Sequence, residues 1–182
     1  LKAQELRQVI GMPGNALRAY LHGPLGQRLF ALLADAAKRK RELFAALYEL
    51  DDEQLESALE GCGKRAHVVL ANGSVDKQGE DQNAEARQRL STKIDLHDRM
   101  VSPRALGHNK FLVICDAQRQ PRWVWTGSQN WTKTGLCSQA NNTLLIDDPV
   151  LALEFLKQWE LLKAAGDATP AALDRKSTRL NS

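Results

Sequence analysis

Aromatic residues make up only 5% of this chain of 182 residues, so its core has to be built mostly from aliphatic side chains. Cysteine is scarcer still. Cys62, Cys115 and Cys137 cannot all pair and lack paired metal-ligand spacing, which argues against a disulfide scaffold and a zinc site, including one drawn from His108, Cys115 and Cys137. They read as reduced thiols; that leans toward the cytoplasm while leaving the compartment open. No apolar run approaches the roughly 18 residues of a membrane-spanning helix, no secretory signal is visible, and no internal repeat is found. Neither charge sign dominates: 25 Lys and Arg face 22 Asp and Glu, a net charge of +3, too weak to mark a nucleic-acid binder by itself.

What is present is a globular composition, 43% hydrophobic and 26% charged, long enough to bury a real core. Residues 1–24 read as an N-terminal helix and linker, 25–165 as the main domain and 166–182 as a tail. The last eight residues break abruptly from the Ala-rich stretch before them and read as a non-native extension. A helix over Leu1–Ile10 ends at Gly11-Met12-Pro13-Gly14. A second begins after Gly23-Pro24 and carries the stripe Leu25, Leu29, Leu32, Leu33, Ala36, Ala37. Lys38-Arg39-Lys40-Arg41 at its end is either a solvated last turn favoured by the helix dipole or a contact to an anion. Leu43–Leu50 reads as a central strand, Asp51-Asp52-Glu53 as the cap and acidic first turn of a helix stopped by Gly61-Cys62-Gly63, and Ala66–Ala71 as a strand parallel to the first. Ser74–Arg89 is a polar excursion with a short helix in its second half. A strand within Asp95–Ser102, a strand at Thr143–Ile146 and a helix opened by Asp147-Asp148-Pro149 complete the pattern, the helix burying Leu151, Phe155, Trp159 and Leu162. The order predicts an α/β three-layer sandwich with a mixed β-sheet between helices.

The chemistry concentrates between Gly107 and Asn142. Phe111–Cys115 and Arg122–Thr126 are apolar runs joined by the polar, Pro-containing Ala117–Pro121, and predict a hairpin buried on both faces. His108 and Lys110 precede and open its first strand on one side; Gly127-Ser128-Gln129-Asn130 closes its second. A titratable imidazole, a fixed cation and two neutral hydrogen-bonding side chains around one point suit a phosphate. Trp123 and Trp125 share a strand face, as core or as the wall of a pocket stacking a base or covering a lipid head group. His67 reads as structural, His22 as loop and His97 as a surface or salt-linked residue.

These residues resemble the HKD motif of the phospholipase D superfamily, in which His-x-Lys and a following Asp precede a Gly-Ser/Gly-x-Asn turn; the resemblance runs from about Glu42 to Trp159. It implies a phospholipase D-like sandwich and a phosphodiester hydrolase that needs no metal or cofactor. His108 would be nucleophile or general acid, Lys110, Ser128 and Asn130 would bind phosphate, and Asp116 would complete the motif. The family's Asp falls at Cys115, so Asp116 takes its place only if a bulge absorbs one residue. Downstream, Gln139-Ala140-Asn141-Asn142 carries an amide where many members have a carboxylate that orients the imidazole; Asn141 and Gly127 are second-shell candidates. The resemblance also implies a second motif-bearing lobe, from a longer chain or a homodimer. The longer chain is preferred because Leu1 is not an initiator Met and the tail looks foreign; this would be its first half. The substrate is a phospholipid in the preferred reading and a nucleic acid in the alternative. A catalytically degenerate binding or scaffold lobe is the reading from another class.

Overall fold

Strands β1 (Leu43–Leu47), β2 (Ala66–Ala71) and β3 (Asp95–Arg99) run parallel, and β4 (Lys110–Cys115) turns back against β1. Strands β5 (Pro121–Gly127) and β6 (Thr143–Asp147) continue the sheet antiparallel, giving the order β3-β2-β1-β4-β5-β6. The helices are α1 (Ala3–Ile10), α2 (Ala16–Lys38), α3 (Glu53–Cys62), α4 (Ala84–Leu90), α5 (Lys133–Cys137) and α6 (Pro149–Ala165). The computed structural model describes residues 2–74, 80–102 and 107–168. The α/β sandwich with a mixed sheet is therefore as read from the sequence. The foreign-looking stretch from Arg175 onward, and residues 75–79 of the polar excursion, lie outside the described residues.

Alternation along the strands divides the core in two. Ala45, Val68, Leu112, Ile114 and Trp125 face α2 and α3, whereas Ala46, Val69, Phe111, Val113 and Val124 face Ala152, Trp159 and Leu162 of α6. Both faces are covered, which is why β4 is apolar without interruption. The Trp159 indole N–H donates to the Ala45 carbonyl at 2.9 Å, so this buried indole leaves no donor unpaired.

Two boundaries differ from the sequence reading. Helix α2 starts nine residues early, at Ala16 with Asn15 capping Leu17 N at 2.9 Å, and crosses a kink at Gly23 (φ 52°, ψ −156°) before Pro24. His22 is thus helical rather than loop. The added segment is fixed by Arg18, 2% exposed, whose Nη2 donates to Asp52 Oδ2 at 2.7 Å. Apolar periodicity does not detect a buried arginine. Strand β1 ends at Leu47, and Tyr48–Leu50 leaves the ladder to meet another segment, as described next.

Candidate active site

Leu47 pairs with Lys110, and Phe111 with Thr126, so the exit of β1, the entry of β4 and the exit of β5 lie at one end of the sheet. Lys110 is buried, and its Nζ has no hydrogen-bond partner among the described residues. It lies 4.9 Å from the centre of the Tyr48 ring. His108 is exposed and meets the same ring edge-on, at 4.5 Å between centroids. Tyr48 is therefore a shared platform for the imidazole and the ammonium. Burial pushes the His108 pKa below its ordinary value and the neighbouring Lys110 charge adds to this, while Glu49 opposes it. Burial also lowers Lys110, again against the pull of Glu49. Both shifts favour the uncharged forms, so the imidazole is the neutral partner at neutral pH and the ammonium beside it is stabilised by an anion.

The turn after β5 is held from below. A Cβ on Gly127 would stand 2.2 Å from the Asn142 carbonyl oxygen, so only glycine lets β6 approach. Ser128 N donates to that carbonyl at 3.0 Å. The Ser128 hydroxyl donates to Asn141 Oδ1 at 2.9 Å and accepts from Asn142 N at 3.0 Å. Asn141 also donates to Gly135 O at 3.0 Å. Asn141, a second-shell candidate, thus stands behind Ser128, and among the described residues no hydrogen bond joins it to His108. Ser128 is itself engaged with this lower layer, whereas Asn130 bonds to Glu49, the carboxylate that acts on His108 and Lys110.

Asn130 reveals a residue the sequence did not mark. Its Nδ2 donates to Glu49 Oε2 at 2.6 Å, and Glu49 Oε1 accepts from Ser74 Oγ at 2.8 Å. Tyr48 Oη lies 3.3 Å from the same Ser74 hydroxyl. The carboxylate fixes the Asn130 amide, because turning its oxygen toward Glu49 would oppose two acceptors. Asn130 Oδ1 is buried and has no hydrogen-bond partner among the described residues. The backbone sets this pairing: Trp131 N donates to Glu49 O at 3.1 Å, and Leu50 bridges to Trp131. Asn83, 1% exposed, clamps the segment, accepting from Leu50 N at 3.0 Å and donating to Tyr48 O at 2.8 Å and Ala71 O at 2.7 Å. The only hint in the sequence was a lone carboxylate interrupting the apolar Leu43–Leu50.

Asp116 is not brought to this site. A register shift does occur between Ile114 and Cys115, but Asp116 then folds into the hairpin, its Oδ1 accepting from Gln118 N and Gln120 N at 2.9 Å each. It shapes the turn at the far end of β4. His67 is bridged between Glu42 at 2.7 Å and Asp95 at 2.6 Å, and His97 meets Asp95 at 3.1 Å; both are structural. The three cysteines are free and buried, with Cys62 and Cys115 pushed up to about 11 by burial. Among the described residues no three His, Cys, Asp or Glu side chains are grouped to hold a metal.

The family model described as cardiolipin synthase, PLD-like domain matches residues 27–162. A mitochondrial cardiolipin hydrolase from Chlamydomonas reinhardtii is 24% identical over 154 residues, covering 82% of this chain and 64% of its own length. The chain thus spans less than two thirds of that relative. Among solved structures, Nuc of Salmonella typhimurium, a phospholipase D family member, has 22% identity and a TM-score of 0.57, over 76% of this chain and 88% of its own. NucT from Helicobacter pylori has 16% identity and a TM-score of 0.57, over 80% and 94%. The polyphosphate kinase of Porphyromonas gingivalis has 19% identity and a TM-score of 0.55, over 79% of this chain and 24% of its own. At these identities the solved structures speak for the fold, and the matched family model settles membership: this chain belongs to the phospholipase D superfamily, through its PLD-like domain.

Proposed function

We propose that the chain is one lobe of a phosphodiester hydrolase in which His108 attacks phosphorus. The observation that carries this reading is the buried, unpartnered Lys110 ammonium beside an imidazole held neutral. A ring nitrogen of His108 forms the P–N bond while the P–O bond to one alcohol breaks, and that alkoxide leaves with a proton. Water then attacks the phosphohistidine, passing its proton to the imidazole that protonated the leaving alkoxide, and the P–N bond breaks to free His108. Lys110 neutralises the non-bridging oxygens, and Asn130, through its second amide hydrogen, donates to them as charge develops. Ser128 holds the turn and reaches phosphate only if its bond to Asn141 is exchanged. The proton for the leaving alkoxide comes from a second imidazolium, supplied by another motif-bearing lobe in a longer chain or a homodimer.

Phospholipid is the preferred substrate, supported by the family description and by the name of the cardiolipin hydrolase relative. A nucleic-acid strand presents the same diester, and the motif residues touch only the phosphate. The test is to mix the two-lobed protein with diesters labelled at phosphorus, one phospholipid and one oligonucleotide, and quench in alkali, where the P–N bond persists. Label on the peptide carrying His108, absent in His108→Ala, is the expected result. Turnover retained by His108→Ala would overturn the assignment. Binding of either diester with neither label nor turnover would favour a degenerate binding lobe.

A further inference from the structure

A second concentration of chemistry lies at the other end of the sheet. Strand β4 has Lys110 at one end and Ile114 near the other, roughly 13 Å apart at the rise of an extended strand. Around Ile114 a cavity of about 630 Å³ opens between α2 and the β4–β5–β6 face, floored by Leu32, Trp123 and Leu145 and ringed by Arg28, Arg39 and Arg41. The Arg41 guanidinium lies 4.5 Å over the Trp123 ring, and its buried Nε has no hydrogen-bond partner among the described residues. Asp35 is held by Arg39 at 2.6 Å and lies a looser 3.9 Å from Arg41, Asp147 is held by Arg122 at 2.5 Å, and beside the groove Arg119 lies 3.7 Å from Glu42. Among the described residues Arg28, Lys38 and Lys40 have no ion-pair partner within 4 Å.

Helix-dipole preference accounts for cations at the end of α2. It does not account for their backbone. Lys40 sits at φ 54° in the position that closes a helix with Arg41 N to Ala36 O at 2.9 Å and Lys40 N to Ala37 O at 3.2 Å, where glycine is the usual residue. Arg119, on a different element, sits at φ 60° in the β4–β5 turn, again a place that favours glycine. These two residues are the non-glycine residues with positive φ among those described. Both are cations that flank the cavity without lining it: Lys40 lies between Arg39 and Arg41, which do line it, and Arg119 reaches Glu42, next to Arg41; each position carries a cost in strain.

We infer that this groove is a binding site for a nucleotide unit, its planar base against Trp123 and the Leu32–Leu145 floor and its phosphate among Arg41, Lys40 and Arg119. A cationic, aromatic-floored concavity of this size suits a base and its phosphate. The nucleotide can be free or part of a single strand. A bilayer suits the site less, because the hairpin tip Ala117-Gln118-Arg119-Gln120 offers no apolar wedge.

The test uses the described chain carrying His108→Ala, so that no strand is cut. A fluorescein-labelled oligothymidylate is followed by anisotropy across a salt series, with thymidine monophosphate as competitor, and vesicles of phosphatidylglycerol are assayed by co-sedimentation. Lys40→Gly with Arg119→Gly relieves both left-handed positions while removing two cations. The melting temperature is expected to hold or rise while oligonucleotide affinity falls several-fold, with the slope of log affinity on log salt falling by about 1 to 2. In the two-lobed protein with His108 intact, the same pair leaves hydrolysis of a small soluble diester unchanged. Competition by the monophosphate identifies the free nucleotide as sufficient; dependence on the oligomer identifies the strand. Unchanged affinity in the glycine pair, no oligonucleotide binding, or binding to vesicles in place of oligonucleotide would overturn the proposal.

Discussion

Lys110 is the residue at which stability and activity should part. Its ammonium is buried and unpaired, and its environment on balance disfavours the charged form. A cation whose folded pKa lies below its unfolded one costs stability at pH values under both. Lys110→Met keeps the aliphatic stem and removes that cost, offset by the lost contact to Tyr48. The fold should gain roughly 1 kcal/mol while diester turnover collapses; thermal melts beside an activity assay check both. Glu49 makes the complementary prediction. It opposes the lowering of the His108 pKa, so Glu49→Gln should lower that pKa further. Neutral imidazole then persists to lower pH, and the acid limb of kcat/KM should move down the pH scale. An unmoved limb would deny Glu49 any electrostatic role. His108, Lys110 and Asn130 were legible because their spacing lies within one hairpin. Glu49 was not, since its role depends on β1 exiting beside Trp131, a pairing no local spacing encodes.

At the scale of elements, the sequence carried what periodicity and punctuation can carry. The unbroken apolar runs gave β4 and β5, Asp52 gave the cap of α3, accepting from Gln54 N and Leu55 N at 3.2 and 3.1 Å, and Asp148-Pro149 gave the start of α6. The first half of α2 escaped because its anchor is a buried ion pair, and α5 because five residues are too few to show a period. The stripe of α6 was read nearly in phase, with Ala152 buried where Leu151 was expected to be. Two glycines test the distinction between elements held by packing and elements merely permitted. Gly61 is helical, with nothing within 4 Å of an added Cβ; Gly61→Ala should stabilise by about 0.5–1 kcal/mol through propensity alone. Gly127→Ala would drive a Cβ into the Asn142 carbonyl, a backbone clash that no rotamer relieves. It should cost about 1–3 kcal/mol and, by displacing the Ser128–Asn130 turn, reduce turnover as well. Paired melts of the two variants read the contrast directly.

For the whole molecule the deciding quantity is the number of imidazoles that can reach one phosphate. The described site contains one, His108, and the other described histidines are committed elsewhere: His67 to Glu42 and Asp95, His97 to Asp95, His22 to the kink of α2 beside Phe30. Glu49 cannot stand in as the acid while it accepts from Asn130 and Ser74 as a carboxylate. On the proposed mechanism a leaving alkoxide therefore lacks an imidazolium donor within one copy of this site. Two consequences separate by concentration. If the second donor comes from another copy, specific activity should rise with protein concentration in step with dimer mass in sedimentation. If it belongs to a further lobe of a longer chain, this 182-residue chain should stay inactive toward diesters with a poor leaving group at every dilution. In that second case a diester with an activated phenolate leaving group, which needs no proton, should still label His108 in a single burst. Full steady turnover of an unactivated diester by a strict monomer would show that one imidazole serves both steps, and the two-lobe mechanism would fall.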